Sequence, residues 1–158
     1  MAIKDYDDPS MFTVGSDGGL SLIGQMGGIV DITYMFDNML KNNGVLAQQM
    51  NPIEFYQAVK TGGIWDFKNK AGGLFWEGNK GNYQLQYNLD NWSFDDPGNY
   101  HFGYVSEKFG LNPVIAQMGA GAYQIYSGTS SKNYWKSYFD DPRDSKMIGR
   151  GYNAALQR

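Results

Sequence analysis

Residues 20–50 read LSLIGQMGGIVDITYMFDNMLKNNGVLAQQM, and the spacing of their apolar side chains decides how the rest of the chain is read. Ile29, Ile32, Met35, Phe36, Met39 and Leu40 recur at steps of three and four, which is the spacing of one apolar helix face. Gln25, Asp31, Asp37 and Lys41 interrupt the stretch, so it predicts a helix packed on a core and no membrane span. Upstream, Gly24, Gly27 and Gly28 admit two readings, close helix packing or a mobile loop.

Working outward, Asn51-Pro52 supplies an N-cap and a proline for the first helical position. The helix it opens carries Ile53, Phe55, Tyr56 and Val59 and is expected to end at Gly62-Gly63. Ile64 to Lys68 (IWDFK) reads as a short extended segment. Residues 74–89 read as a hairpin, with Phe75 and Trp76 before a turn at Gly78-Asn79-Lys80-Gly81, and Tyr83, Leu85 and Tyr87 alternating after it. A helix is expected from about Asn99 to Phe109, stopped by Gly110. Asn112-Pro113 opens a segment with Val114, Ile115, Met118, Ala122 and Ile125, closed by Ser127-Gly128. Asp141-Pro142 opens a last helix carrying Met147, Ile148, Tyr152 and Leu156. Residues 1–19 form a loose N-terminal segment and residues 20–158 a single domain, with no internal repeat. The fold class expected is α+β: a helix-rich single domain with one small antiparallel hairpin or sheet.

At 158 residues the chain is long enough to bury a core without staples. It has no cysteine, which excludes a thiol nucleophile, a Cys-ligated zinc and a disulfide scaffold. The net charge of -3 and a pI near 5.0 argue against tracking of a nucleic-acid backbone, without forbidding a locally basic site. Aromatics make up 16% of residues and glycine numbers 21, a composition that suits stacking and neutral hydrogen bonding, as on sugars or peptides, or simply an aromatic core. Residues 1–10 (MAIKDYDDPS) carry no apolar signal region behind a basic start. The chain also lacks HExxH, GxSxG, Walker A and strand-linked GxGxxG patterns.

Four clusters carry chemistry. The stretch FDDPGNYHFG (94–103) holds the only histidine, His101, and a turn at Pro97-Gly98 would let Asp95, Asp96 and His101 converge for acid–base work. The alternative is a plain turn, an Asn99 helix cap and a core histidine. Asp66 and Lys68 would share one face of an extended segment, with Trp65 and Phe67 on the other; the pair suits an anionic substrate group or a surface ion pair. Asp140, Asp141 and Asp144, with Arg143, could hold a divalent cation, but an Asp-Pro helix start explains them better, so no cofactor and no metal is expected. Tyr83 and Tyr87 share a strand face and, with Trp76 and Trp92, form either a stacking platform or, the stronger reading, hairpin packing.

The order WDFK (65–68), an acidic pair leading into GNYHFG (98–103), AQMGAGAYQIYSGTS (116–130) and DDPRD (140–144) before Ile148-x-x-Gly151 resembles the bacterial polymorphic toxin type 44 family over residues 55–152. The resemblance implies an antibacterial effector toxin. It implies a cognate immunity protein, and a secretion-system carrier such as an Rhs or VgrG protein that delivers it from the producer cell. For the reaction, a hydrolase cutting the peptidoglycan glycan strand in the target periplasm is favoured, with Asp95 or Asp96 as acid/base and Asp66 assisting. Lys68, Asn99, Trp65, Tyr87 and Arg143 would then contact the substrate. The alternative is a metal-independent ribonuclease in the target cytoplasm, using His101 with a carboxylate and Lys68 on the phosphate. A non-enzymatic pore-former or adaptor is the third reading.

Overall fold

The computed structural model describes residues 28–117 and 142–158. The expectations for the N-terminal segment, for Met118, Ala122, Ile125 and Ser127-Gly128, and for Asp140 and Asp141 lie outside the described residues. In chain order the elements are β1 (Gly28–Asp31), α1 (Thr33–Gln49), α2 (Pro52–Val59), two 3-10 turns (Phe67–Asn69 and Glu77–Asn79), β2 (Tyr83–Tyr87), β3 (Asp90–Trp92), α3 (Asp96–Phe109), α4 (Pro113–Gln117) and α5 (Pro142–Leu156). The α+β class is as expected, helix-rich with one small sheet. No helix among the described residues is long and apolar enough to cross a membrane.

The sheet differs from the expectation in two ways. Its order is β1-β2-β3, and β1 pairs parallel to β2 with Gly28 opposite Tyr83 and Asp31 opposite Gln86. The segment predicted as continuous helix therefore begins as a strand. Ile29 and Ile32 fall on the helical spacing only by coincidence: Ile29 is half exposed on β1, and Ile32 is buried just before α1. Asp31 ends the strand and starts the helix, its Oδ1 accepting the Thr33 N–H at 2.9 Å. A bond from the Thr33 side chain and, second to it, this backbone bond hold the Asp31 carboxyl below its usual range.

The second difference is the hairpin. Residues 74–82 are not a strand and turn; the hairpin is β2–β3, with Tyr87 opposite Asp90 and a two-residue tip of Asn88 and Leu89. Both tip residues have positive φ, 48° and 68°. Two such residues make the primed turn that matches strand twist, normally written Asn-Gly. Asn tolerates that backbone; Leu does so at a cost on the order of 1 kcal/mol.

What occupies residues 61–80 is a tandem repeat, contrary to the expectation of none. TGGIWDFKNK (61–70) and AGGLFWEGNK (71–80) fold alike, ten positions apart. Gly62 and Gly72 have φ of 78° and 82°. The Gly63 N–H donates to the Lys60 carbonyl at 2.8 Å, and the Gly73 N–H to the Lys70 carbonyl at 3.0 Å. The Asp66 and Trp76 N–H groups reach the Gly63 and Gly73 carbonyls at 3.1 and 3.2 Å, and each copy closes with a 3-10 turn. Residues 64–68 are thus a turn entering a 3-10 helix and not an extended segment, although Trp65 and Phe67 are buried as expected.

Two compact units make up the described chain, residues 28–39 with 67–97, and residues 40–66 with 98–117 and 142–158. In the first, Phe36 is the hub. Its ring meets Phe75, Tyr87 and Trp92 edge-on at 5.8, 5.5 and 5.5 Å between centroids. Tyr83, Leu85 and Tyr87 present the buried face of β2, as the alternation required. The Tyr83 hydroxyl donates to the Leu74 carbonyl at 2.6 Å, and burial pushes its pKa up to about 12.

In the second unit, α2 is held by a full capping box, Asn51 and Glu54 exchanging bonds of 2.9 and 2.8 Å. Phe55 stacks on Phe109 at 4.3 Å, while Ile53 is exposed. The α3 helix ends in a Schellman turn: Gly110 has φ 96°, and the Leu111 and Gly110 N–H groups bond the Ser106 and Glu107 carbonyls at 2.9 and 2.8 Å. Helices α3 and α5 approach backbone to backbone. A Cβ on Gly103 would collide with the Ile148 carbonyl, and one on Gly151 with the Tyr100 carbonyl.

Candidate functional site

The stretch 94–103 does not contain a turn at Pro97-Gly98. Both residues lie in the first turn of α3, where proline is favoured because the N–H it lacks would be unpaired anyway. Asp96 is wholly buried, and its Oδ2 accepts the Ser93 N–H at 2.7 Å, a helix-start contact. His101 sits five positions further along the same helix, whereas side chains stack at three or four. A turn-driven convergence of Asp95, Asp96 and His101 is therefore not how this segment is built.

His101 is in the second unit and is 1% exposed. The Asn43 side-chain amide and the His101 Nε2 share a hydrogen bond of 2.9 Å. The Trp65 indole meets the imidazole edge-on at 5.1 Å. Burial pushes its pKa down from 6.5 to about 3, and the ring is neutral at physiological pH. A buried neutral imidazole cannot supply a proton near pH 7, and as a base it is weak.

In the same unit, Asp66 Oδ2 accepts the Gly62 N–H at 2.8 Å and closes its own turn. The Asn99 Nδ2 donates to Asp144 Oδ1 at 2.8 Å, tying α3 to the first turn of α5. Arg143 is exposed beside Asp144. Of the three carboxylates weighed for a cation, only Asp144 is described.

The first unit holds a solvent-reachable ion pair. The Lys68 Nζ lies 3.5 Å from Asp95 Oδ1, with side chains 50% and 35% exposed. The sequence pairs Lys68 with Asp66; the fold pairs it with Asp95, because a 3-10 turn and not a strand carries it. Tyr87 is buried, and its hydroxyl donates to Asp37 Oδ1 at 2.7 Å while Asp37 itself is half-buried. Tyr83, Tyr87 and Trp92 face the core, so no stacking platform is formed by them.

Sequence reasoning missed Asn43 and Asp37. Each meets its partner across 58 and 50 positions, a separation with no local signature. Asp37 sat among the polar interruptions of the helix stretch, and Asn43 was one polar residue of several on α1.

No curated protein and no solved structure matches the chain. The family model described as bacterial toxin 44 does match, over residues 54–157, which takes in most of α2, both repeat copies, the β2–β3 hairpin, the Lys68–Asp95 pair and the α3–α5 crossing. With about two thirds of its length covered by that match, the chain belongs to the bacterial toxin 44 family.

Proposed function

We propose that this toxin domain hydrolyses the glycan strand of bacterial peptidoglycan by carboxylate acid–base catalysis. The observation that carries the reading is a contrast in access. The only imidazole is sealed and neutral, whereas Asp95 is reachable by solvent with an ammonium beside it. Glycosidic cleavage runs on two carboxylates, one protonating the leaving oxygen and one acting as base or nucleophile. Asp95 takes one role. Asp37 takes the other, its position fixed by the Tyr87 hydroxyl. Asp96 and Asp66 serve the backbone contacts that hold the loops, and Lys68 orients the Asp95 carboxylate.

The delivery expected of such a toxin is secretion from a producer cell, with a cognate immunity protein protecting that cell. The domain should kill when sent to the periplasm of a test bacterium and should release reducing sugar ends from isolated sacculi. Asp95→Asn should lose both effects while its melting temperature stays near that of the parent. Killing only from the cytosol, with RNA degraded and sacculi intact, would overturn the reading in favour of the ribonuclease.

A further inference from the structure

The tip of the β2–β3 hairpin combines two features that fold stability does not explain. Leu89 holds a left-handed backbone at φ 68°, and its side chain is 86% exposed. It gains nothing from the core. Tyr34, 80% exposed, follows Thr33, whose Oγ1 accepts the Asn88 N–H at 2.8 Å, so a hydrogen bond ties together the residues that precede the two exposed side chains.

The segments that carry the tip have charge of one sign. Residues 28–39 and 83–92 contain no Lys or Arg, but they contain Asp31, Asp37 and Asp90. Each of the three is tied to β2 or its turn. Asp31 is opposite Gln86, Asp37 accepts the Tyr87 hydroxyl, and Asp90 follows Leu89 directly. Such a patch repels an anionic lipid surface, and it repels a second copy of itself. It complements a basic one.

We propose that Leu89 and Tyr34 anchor the immunity protein, which receives them in an apolar pocket rimmed by Lys or Arg. This rests on the toxin reading above, since a producer must restrain such a domain. The strained leucine is retained for this contact, in the manner of a buried interface anchor surrounded by charge that sets orientation.

The test uses the full chain and the purified immunity protein, defined as the co-produced protein whose expression suppresses killing. Leu89→Gly relieves the backbone strain and keeps the hairpin, so folding is preserved. Its affinity for the immunity protein should fall about tenfold or more, with killing by the variant alone unchanged. Asp90→Lys should weaken binding further and make it less sensitive to salt. Unchanged affinity for both variants overturns the proposal. So does loss of killing by folded Leu89→Gly, which would assign the tip to the target. A dimer of the parent chain that Leu89→Gly dissolves, or binding to phosphatidylglycerol vesicles lost in the same variant, also overturns it. The affinity is measured with purified proteins, so it is read separately from whether sacculi are cut.

Discussion

Lowering the pH from about 8 to about 5 should destabilise the native domain through His101. In the folded state its pKa lies at about 3, against 6.5 for an exposed imidazole, because burial disfavours the charged ring. The unfolded chain therefore binds a proton that the native state refuses anywhere between those values. The stability from keeping this ring neutral is complete above pH 6.5 and is lost as the pH falls through that window. At pH 5 the unfolded histidine is almost fully protonated, and at about 1.36 kcal/mol per unit the loss is about 2 kcal/mol. His101→Gln removes the titration and keeps a hydrogen-bond partner for the Asn43 amide. Urea melts of parent and variant at both pH values isolate the effect as a double difference, free of every other titrating group. A double difference of about 2 kcal/mol is expected. Equal pH dependence in the two proteins would refute the buried neutral state, and with it the argument against a histidine-based reaction.

Helix crossing and ion pairing give two further expectations. Gly103→Ala and Gly151→Ala each put a methyl group into a carbonyl of the facing helix. Overpacking of about 1–3 kcal/mol outweighs the roughly 1 kcal/mol that alanine gains in a helix, so both variants should melt at lower temperature. A rise in melting temperature for either would mean the helices stand further apart. Lys68→Met should change stability by less than about 1 kcal/mol, because the pair with Asp95 is half exposed. Sugar release from sacculi should nonetheless fall about tenfold or more if the ammonium holds Asp95 in its working position. Full activity in that variant would reduce the pair to a surface contact.

The parts of the fold that were legible in the sequence are those written in local signals. Asn51-Pro52 with Glu54 announces α2, and Gly110 stops α3, because caps satisfy backbone groups within a few residues of themselves. Strand β1 was hidden. Its four residues are too few to show alternation, and its apolar positions run in phase with the helix that follows. The hairpin tip was hidden for the opposite reason, since Asn88-Leu89 lacks the glycine that marks a primed turn, while Gly78 and Gly81 offered a false one. The ten-residue repeat is visible in GGIW and GGLF once the two copies are aligned. It is shorter than the periods by which repeat folds are usually sought. The site was less legible than the fold. Which residue meets Lys68, Tyr87 or His101 depends on contacts made across 27 to 58 positions, and composition says nothing of those.

The segment GNYHFG shows why residue type and role come apart. Asn99 bonds Asp144, the Tyr100 carbonyl faces Gly151, His101 fills the core beside Trp65, and Gly103 lets the α5 backbone approach. Every one of these contacts serves the seating of α3 in its own unit. A histidine between an amide and two glycines suggests chemistry, yet a helix crossing built on small residues demands the same glycines and leaves the imidazole dry. The carboxylate that solvent reaches lies six positions before His101, at Asp95, just ahead of the helix and between buried Phe94 and Asp96. Dense polar residues in a sequence thus mark the scaffold as readily as the reaction, and access decides between them. On that ground a variant series at Asp95, Asp37 and His101 has an expected order. The first two should abolish activity in a folded protein, and the third should cost stability and little else.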